Sequence, residues 1–283
     1  MDIKLPFGLK DGQLVEISGV ERGLNCGCFC PSCHQKLIAR KGDKSIHHFA
    51  HYNSQECSKS LETSLHIAAK EILEKHKKIR LPAVITKMCE AHGDQLLLFD
   101  EQTIVFDKIY LEKRIDDIKP DVIIEYNGRK LLVEIAVTHF LDKEKKSKIR
   151  NLGYSTIEIK LNDLKKQLNF HSLQDILLHD VKNKFWVYNA KEHSFLDEIR
   201  NFGKTLKIIK RKIALHVDYC PLKLRMWKGK PYAYFIDDCV YCNYFFDSKG
   251  NETQSHTHII CVGHAKKQID QIIKKYNASF ISN

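Results

Sequence analysis

Two carboxylates near the middle of the chain could form a divalent-metal site. Asp121 follows a proline at the start of one apolar run, and Glu134 lies inside a second run, residues 131–137. The intervening Asn127-Gly128 is typical of a two-residue hairpin turn, which would bring the carboxylates together from adjacent strands. A charge inside a strand is costly unless it is paired or binds a metal, and two close carboxylates suit Mg²⁺. The alternative is an ordinary loop Asp and a Glu that faces solvent.

A helix is predicted upstream of this hairpin, over residues 60–75, because apolar residues recur there at helical spacing. Glu62, His66 and Lys70 are each four residues apart, so they form one polar row along the helix. The row has two interpretations. It either makes ordinary ion pairs on the helix surface or points at the carboxylate pair.

Cysteines and histidines near the N-terminus predict a first zinc site. Cys30-Pro-Ser-Cys33 places two thiolates on one turn, and His51 with Cys57 would complete a tetrahedral Zn²⁺ site. Four protein ligands make such a site structural rather than catalytic. Three neighbours could replace one of these ligands: Cys28, His47 or His48. Buried cysteines without a metal are the alternative.

A second set of cysteines predicts a zinc-ribbon-like module near the C-terminus. Cys239-Val-Tyr-Cys242 forms the centre, and eighteen residues separate this pair from Cys220 on one side and from Cys261 on the other. His264 is a possible substitute ligand. The chain has ten cysteines, and in a reducing compartment such residues are more often metal ligands than disulfides.

The bulk composition favours a polyanion partner such as DNA. The 283 residues include 46 Lys and Arg against 35 Asp and Glu, a formal charge of +11. The sequence lacks an apolar run of about 18 residues, so no transmembrane helix and no membrane partner are expected. The N-terminus lacks the apolar core of a signal peptide, which predicts a cytoplasmic protein.

Several motifs in a fixed order give the chain a family resemblance. Cys-Pro-x-Cys, His-Phe-Ala-His, Glu-x3-His-x3-Lys on a helix, Pro-Asp and a Glu-Ile strand follow one another over residues 30–161. This series resembles the competence protein CoiA family, in which a nuclease-like domain of the PD-(D/E)xK class follows a Cys/His-rich segment. The resemblance implies that Asp121 and Glu134 are the metal carboxylates. It also implies that Glu62 and His66 face the site from the first helix.

The chain departs from the PD-(D/E)xK pattern at one position. The pattern places a Lys two residues after the Glu, and Ala136 occupies that position here. We expect Lys145, in the lysine-rich helix that follows, to supply the missing charge, and the Ile135 carbonyl to add a metal ligand. Glu112 and Asp117 are lesser candidates for a third carboxylate.

The predicted fold class is α/β: a PD-(D/E)xK restriction-endonuclease-like core with three layers, an N-terminal Cys/His zinc-binding segment and a C-terminal zinc-ribbon-like module. The predicted domains are 1–58, 59–181 and 182–283. Strands are expected at 103–111, 121–126, 131–138, 154–161 and 185–188. Helices are expected at 142–151, capped by Asp142 and ended by Gly153, at 172–181, and as a long basic helix at 192–212.

The sequence therefore predicts a nuclease that uses Mg²⁺ or Mn²⁺ to hydrolyse phosphodiester bonds in DNA. The resemblance implies a role in DNA uptake and recombination, or in defence against foreign DNA, with possible protein partners in either process. Two other classes stay open. Ala136 favours a non-catalytic DNA-binding protein with a degenerate nuclease core. The eight ligands assigned to two zinc sites favour a zinc-stapled interaction scaffold.

Overall fold

The computed structural model of the chain describes residues 4–53, 55, 57–88, 95–138, 140–161, 168–250, 256–276 and 278–281. These residues form a mixed α/β structure made mostly of strands. Two compact units are present: unit 1 contains Met1–Pro82 and Glu101–Asn189, and unit 2 contains Ala83–Asp100 and Ala190–Asn283. In this division residues 83–100 group with the C-terminal part, and the domain bounds 1–58, 59–181 and 182–283 stay a prediction. Within the described ranges, every helix is too short or too polar to cross a membrane.

Five α-helices occur in the described residues, and two of them match the predicted helices closely. They are α1 (Ser60–His76), α2 (Lys143–Leu152), α3 (Phe170–Leu178), α4 (Ala190–Arg200) and α5 (Lys266–Lys275). The predicted caps of α2 are confirmed. The Asp142 side chain accepts a hydrogen bond from the Lys145 amide at 2.7 Å, and Gly153 ends the helix at a φ of 71°.

Twenty strands are described, and they fall into six sheets. In chain order they are β1 (Phe7–Lys10), β2 (Gln13–Glu16), β3 (Leu37–Arg40), β4 (His48–His51), β5 (Lys78–Leu81), β6 (Val84–Lys87), β7 (Gln95–Phe99), β8 (Gln102–Val105), β9 (Lys108–Leu111), β10 (Val122–Tyr126), β11 (Arg129–Ala136), β12 (Ser155–Lys160), β13 (Lys184–Tyr188), β14 (Lys204–Arg211), β15 (Ala214–Asp218), β16 (Arg225–Trp227), β17 (Lys230–Tyr234), β18 (Phe245–Gly250), β19 (His256–Cys261) and β20 (Ser279–Ile281).

Unit 1 is built around a five-stranded sheet of order β13-β12-β11-β10-β9. Strands β10 and β11 form the predicted hairpin, and its turn residues Asn127 and Gly128 have φ values of 48° and 72°. Two positive φ values are the signature of a type I′ turn, which matches the twist of the strands it joins. Strand β12 runs parallel to β11 after the α2 crossover, as predicted.

Helices cover both faces of this sheet, which gives unit 1 its predicted three layers. One face carries Val133 and Ile157 and packs with Leu65 of α1 and Leu173 of α3. The opposite face carries Ile123 and Leu132 and packs with Ile149 of α2. Successive strand residues point to opposite faces, so Glu134, next to Val133, lies on the α2 side.

Two predicted elements are wrong. The single strand over residues 103–111 is two strands in different sheets, because β8 pairs with β5 whereas β9 pairs with β10. The long basic helix over residues 192–212 is helix α4 followed by strand β14. Gly203 separates them, and a Cβ at this position would lie 2.7 Å from the Ile260 side chain, so close packing demands glycine.

Unit 2 contains a six-stranded sheet of order β16-β17-β15-β14-β19-β18. Its strands are antiparallel neighbours, and β14 pairs with β19 through its first half and with β15 through its second half. One face holds an apolar core that includes Val217, Ala233 and Ile259 together with cysteines. A smaller three-stranded sheet, β20-β7-β6, also belongs to this unit.

Candidate functional site

The β10–β11 hairpin holds Asp121 and Glu134 at the same end of the sheet. Val122 pairs with Val133, so the next residue on each side places Asp121 opposite Glu134. The Asp121 carboxylate is fixed further by the backbone of the opposite strand, because the Ile135 N–H donates to Asp121 Oδ2 at 2.8 Å. The hairpin predicted from the sequence therefore positions both carboxylates. The role expected for the Ile135 carbonyl stays a prediction.

The polar row of α1 reaches this end of the sheet. His66 Nδ1 lies 3.3 Å from Asp121 Oδ1, and Lys70 Nζ lies 3.9 Å from the same oxygen. Glu62 accepts a hydrogen bond from the Thr138 hydroxyl at 2.7 Å, just beyond the end of β11. Of the two interpretations of the row, contact with the carboxylate region is the one that the geometry supports.

Lys145 contacts the second carboxylate from helix α2. Its Nζ donates to Glu134 Oε2 at 2.8 Å. Residues two apart in a strand share a face, so the small Ala136 lies on the face of Glu134. Lys145 of α2 therefore contacts Glu134, the carboxylate that the lysine of the PD-(D/E)xK pattern would follow.

Burial and neighbouring charges give the two carboxylates different protonation behaviour. Glu134 is only 6 % exposed. Burial raises the pKa of Glu134 to about 7, although the hydrogen bond and charge of Lys145 oppose the rise and Asp121 adds to it. For Asp121, burial also favours the protonated form. The hydrogen bond and charge of His66, the Ile135 N–H and Lys70 outweigh it and lower the pKa of Asp121.

Sequence reasoning missed one carboxylate in this region. Glu158 on β12 pairs with Glu134 on the parallel neighbour, is 3 % exposed, and accepts the Leu141 N–H at 2.8 Å. The signal was available, because Glu158 interrupts an apolar strand just as Glu134 does.

Of the two lesser candidates for a third carboxylate, Glu112 lies beside Asp121, because its N–H donates to the Asp121 backbone carbonyl at 3.0 Å. Glu112 accepts hydrogen bonds from Lys119 and Lys70, and these contacts lower the pKa of Glu112 to about 2. Asp117 lines an open polar cavity together with Lys145 and Lys148. Lys70 also connects the Glu112 carboxylate to that of Asp121.

Two buried polar atoms at this site lack a hydrogen-bond partner among the described residues. They are Glu134 Oε1 and His66 Nε2. Because a buried polar atom left unpaired is costly, each is expected to meet a ligand or water. Mg²⁺ is held by one or two carboxylates and keeps several waters, so Asp121 and Glu134 fit this ion.

A cysteine group in unit 1 could hold a metal ion such as zinc. The Sγ atoms of Cys30, Cys33 and Cys57 all lie within 4.8 Å of one another. His51 Nε2 lies 3.2 Å from Cys33 Sγ, although it is not within 4.8 Å of all three thiols. The side-chain hydrogen bond between Cys57 and Ser32 lowers the pKa of Cys57, and burial raises the pKa of Cys30 to about 11. Three thiols and one imidazole form a ligand set typical of structural zinc.

The three alternative ligands occupy other environments. Cys28 is buried and donates to the Cys26 carbonyl, and burial raises its pKa to about 12. His48 Nδ1 lies 2.7 Å from the Ile46 carbonyl, at the exposed end of β4. His47 precedes that strand and also has an interaction partner.

The four C-terminal cysteines surround one apolar cavity in unit 2. Cys220, Cys239, Cys242 and Cys261 line it together with aliphatic side chains. Burial and the nearby charges of the other three raise the pKa of Cys239 to about 12. Among the described residues, only the N-terminal group has three ligand atoms within 4.8 Å of one another, so these four thiols are less closely gathered. His264 is exposed, outside this apolar lining.

Comparison with known proteins identified the N-terminal segment. Residues 21–60 match the family model described as competence protein CoiA, N-terminal domain. This range includes Cys30, Cys33, His51 and Cys57, so the matched domain contains the whole cysteine group. Neither the curated proteins nor the solved structures gave a match.

Proposed function

Because this chain is CoiA-like in its N-terminal domain, we propose that it is a metal-dependent nuclease with a competence-related role. The proposed reaction is hydrolysis of phosphodiester bonds in DNA with Mg²⁺ or Mn²⁺. The proposed core is PD-(D/E)xK-like, and the setting is DNA uptake and recombination or defence against foreign DNA in the cytoplasm. The formal charge of +11 supports a polyanionic substrate.

One observation carries the proposal. The buried Glu134 keeps one carboxylate oxygen without a partner, at the strand end where Asp121 is held ionised. A chain that only needed to neutralise Glu134 could pair both of its oxygens. The unpaired oxygen next to a second carboxylate is the arrangement that a bound divalent cation would complete.

The surrounding side chains have separate tasks in this reaction. Asp121 and Glu134 would hold Mg²⁺, which would supply an activated water and neutralise charge on the scissile phosphate. His66 contacts one oxygen of the Asp121 carboxylate and the Ile135 N–H donates to the other, so together they fix the orientation of this carboxylate. Lys145 places a positive charge beside Glu134, where it can stabilise the phosphoryl transition state. Glu62 holds Thr138 at the end of β11.

Cleavage of plasmid and oligonucleotide DNA with added Mg²⁺ or Mn²⁺ tests the proposal. Asp121→Asn should abolish cleavage and weaken binding of Mn²⁺, followed by its paramagnetic resonance signal. Glu125→Gln is the matched control, since this carboxylate lies on the same hairpin but pairs with Lys108 near the turn end. Full activity in Asp121→Asn would overturn the assignment.

We also propose that zinc at both cysteine groups is structural. The N-terminal site would use Cys30, Cys33, Cys57 and His51, and the C-terminal site the four cysteines that line the apolar cavity. Elemental analysis should give about two zinc ions per chain. Cys30→Ser should lose one of them, whereas Cys26→Ala, a buried thiol that donates to the Leu37 carbonyl, should lose none.

A non-catalytic DNA-binding protein is the second candidate. Ala136 and the Lys145–Glu134 ion pair favour it, because an ion pair can neutralise a carboxylate that no longer binds metal. DNA binding with no cleavage by the wild type, under any metal, would decide for this candidate. If the wild type neither binds nor cleaves DNA, the zinc-stapled scaffold is favoured.

A further inference from the structure

Unit 2 carries a partly exposed sheet face that is rich in aromatic and basic side chains. It lies on the second half of β14 and on β15, β17 and β16, which are consecutive neighbours in the sheet. Residues paired across antiparallel strands share a face. The pairs on this face are Ile209–His216, Arg211–Ala214, His216–Tyr234, Asp218–Tyr232, Arg225–Tyr232 and Trp227–Lys230.

The opposite face of the same strands is the apolar core. Val217 is 1 % exposed and Ala233 is fully buried there, next to the cysteine-lined cavity. The face described above is instead half-exposed at its rings, and Trp227 is 65 % exposed. A single exposed indole is ordinary, but exposed and half-exposed rings grouped on one face form a patch of the kind that marks interaction sites.

The rings on this face are arranged as a cluster. His216 and Tyr232 stack at a centroid distance of 5.5 Å, and Tyr234 packs edge-on against both, at 4.8 Å and 5.6 Å. The Arg225 guanidinium lies 4.4 Å above the Tyr234 ring, and Lys228 Nζ lies 4.9 Å from the Trp227 ring. Neighbouring rings hold one another in place, so the face is partly pre-organised.

Positive charge is concentrated in the same segment. Residues 208–234 contain seven Lys or Arg and a single Asp, a formal charge of +6 within a chain of +11. That carboxylate, Asp218, pairs with Arg211 at 2.6 Å, and Arg225 pairs with Asp238 at 2.6 Å. The lysines at 212, 223, 228 and 230 are exposed; Lys230 lies on this face, and the other three lie in the turns and loops that connect its strands.

We propose that this face binds single-stranded nucleic acid. The exposed Trp227 ring and the half-exposed Tyr232 ring offer stacking surfaces to unpaired bases, and the flanking lysines attract the phosphates. A duplex hides the faces of its bases, so it would use the charges but not the rings. An acidic peptide likewise offers charge without planar groups to stack. Binding here goes beyond the proposed hydrolysis, because all the contributing residues belong to unit 2 and none is a carboxylate of the metal site.

Fluorescence anisotropy with a labelled oligodeoxythymidylate, in buffer without added divalent cation, tests this binding in the full chain. Trp227→Ala and Tyr232→Ala should each weaken binding about 10-fold. Trp227→Phe should restore most of the loss, since a phenyl ring still stacks. Tyr241→Ala is the matched control, because Tyr241 is 75 % exposed but lies outside these strands.

Two further measurements separate stacking from simple charge attraction. Indole fluorescence should fall on binding, and the fall should shrink in Trp227→Phe, since the chain has only two tryptophans. Lys230→Gln should reduce the dependence of affinity on salt by about 0.7 in the log–log slope, whereas Lys267→Gln on α5 should not. Equal affinity for a duplex of the same charge, or unchanged binding by folded Trp227→Ala, would overturn the proposal. Its failure would leave metal-dependent cleavage in unit 1 untouched.

Discussion

Glu134 and Lys184 are buried charged side chains on the same five-stranded sheet, yet their hydrogen-bonding capacity is filled to different degrees. Lys184 is 3 % exposed and donates to the carbonyls of Arg80, Leu177 and Asp180 at 2.7 to 2.8 Å. An ammonium has three donors, so all are used. Glu134 is 6 % exposed and has one oxygen paired with Lys145 and one left without a described partner.

The difference separates a structural charge from a binding one. Lys184 ties the C-terminal end of α3 to β5, since Leu177 lies in the last turn of that helix and Arg80 lies on the strand. Nothing further can bind to a side chain whose donors are all used. Glu134 keeps an oxygen available, which is why we assign it to a metal site and Lys184 to the fold.

The largest expected effect is on cleavage. Glu134→Gln keeps the shape of the side chain but removes its charge, so we expect cleavage to fall at least about 1000-fold, roughly 4 kcal/mol of transition-state stabilisation. The free energy of unfolding should change by less than about 1 kcal/mol, because Lys145 is partly exposed and can be hydrated. Single-turnover cleavage and urea unfolding of the same sample measure both quantities. If Glu134→Gln unfolds readily yet cleaves DNA normally, Glu134 belongs to the fold rather than to a metal site.

The next effect is on stability. Lys184→Met leaves three carbonyls without their donor, so we expect the free energy of unfolding to fall by about 2 to 4 kcal/mol. The cleavage rate of the folded fraction should be unchanged. Lys182→Met is the control, since Lys182 is exposed in the turn just before β13 and its replacement should cost little. Loss of cleavage in stably folded Lys184→Met would show that Lys184 has a functional role.

Lys145→Ala tests the role of Glu134 by removing its ion-pair partner. We expect a cleavage rate about 10- to 1000-fold lower, roughly 1.4 to 4 kcal/mol, with little change in DNA affinity. Lys143→Ala is the control, because Lys143 is an exposed lysine two residues earlier on α2. If Lys145 only attracts phosphate, its variant will instead bind DNA more weakly at low salt and keep the saturated rate.

The sequence predicts this part of the fold well where the signals are local. The Asn127-Gly128 turn, the Asp142 and Gly153 caps and the period of α1 each depend on a few adjacent residues, and each agrees with the structure. The Cys-Pro-Ser-Cys33 turn is another such signal, because its two thiols remain together in the folded chain.

Partners that are distant in sequence were harder to predict. Glu158 meets the Leu141 N–H only because β12 returns beside β11, and Lys184 reaches Arg80 across 104 residues. Residues 204–211 mix basic and apolar residues in an order that fits either a helix or a strand. Pairing with β15 and β19 decides for the strand, and no local propensity contains that information.

The smallest expected effect is a pH dependence of stability that comes from Lys184 alone. Burial lowers the pKa of Lys184 to about 7 from an unfolded value near 10.5, although the charge of Asp180 opposes the shift. Between these values the unfolded chain binds more protons, so the free energy of unfolding should rise with pH from about 7 to about 10.5. The three carbonyl acceptors favour the ammonium and reduce the effect, so we expect about 1 to 2 kcal/mol. Urea unfolding of wild type and Lys184→Met at about pH 6, 8 and 9.5 isolates this contribution, because other titrating groups cancel in the difference. A difference that stays constant over that range would mean that Lys184 remains charged, held by its carbonyls against the cost of burial.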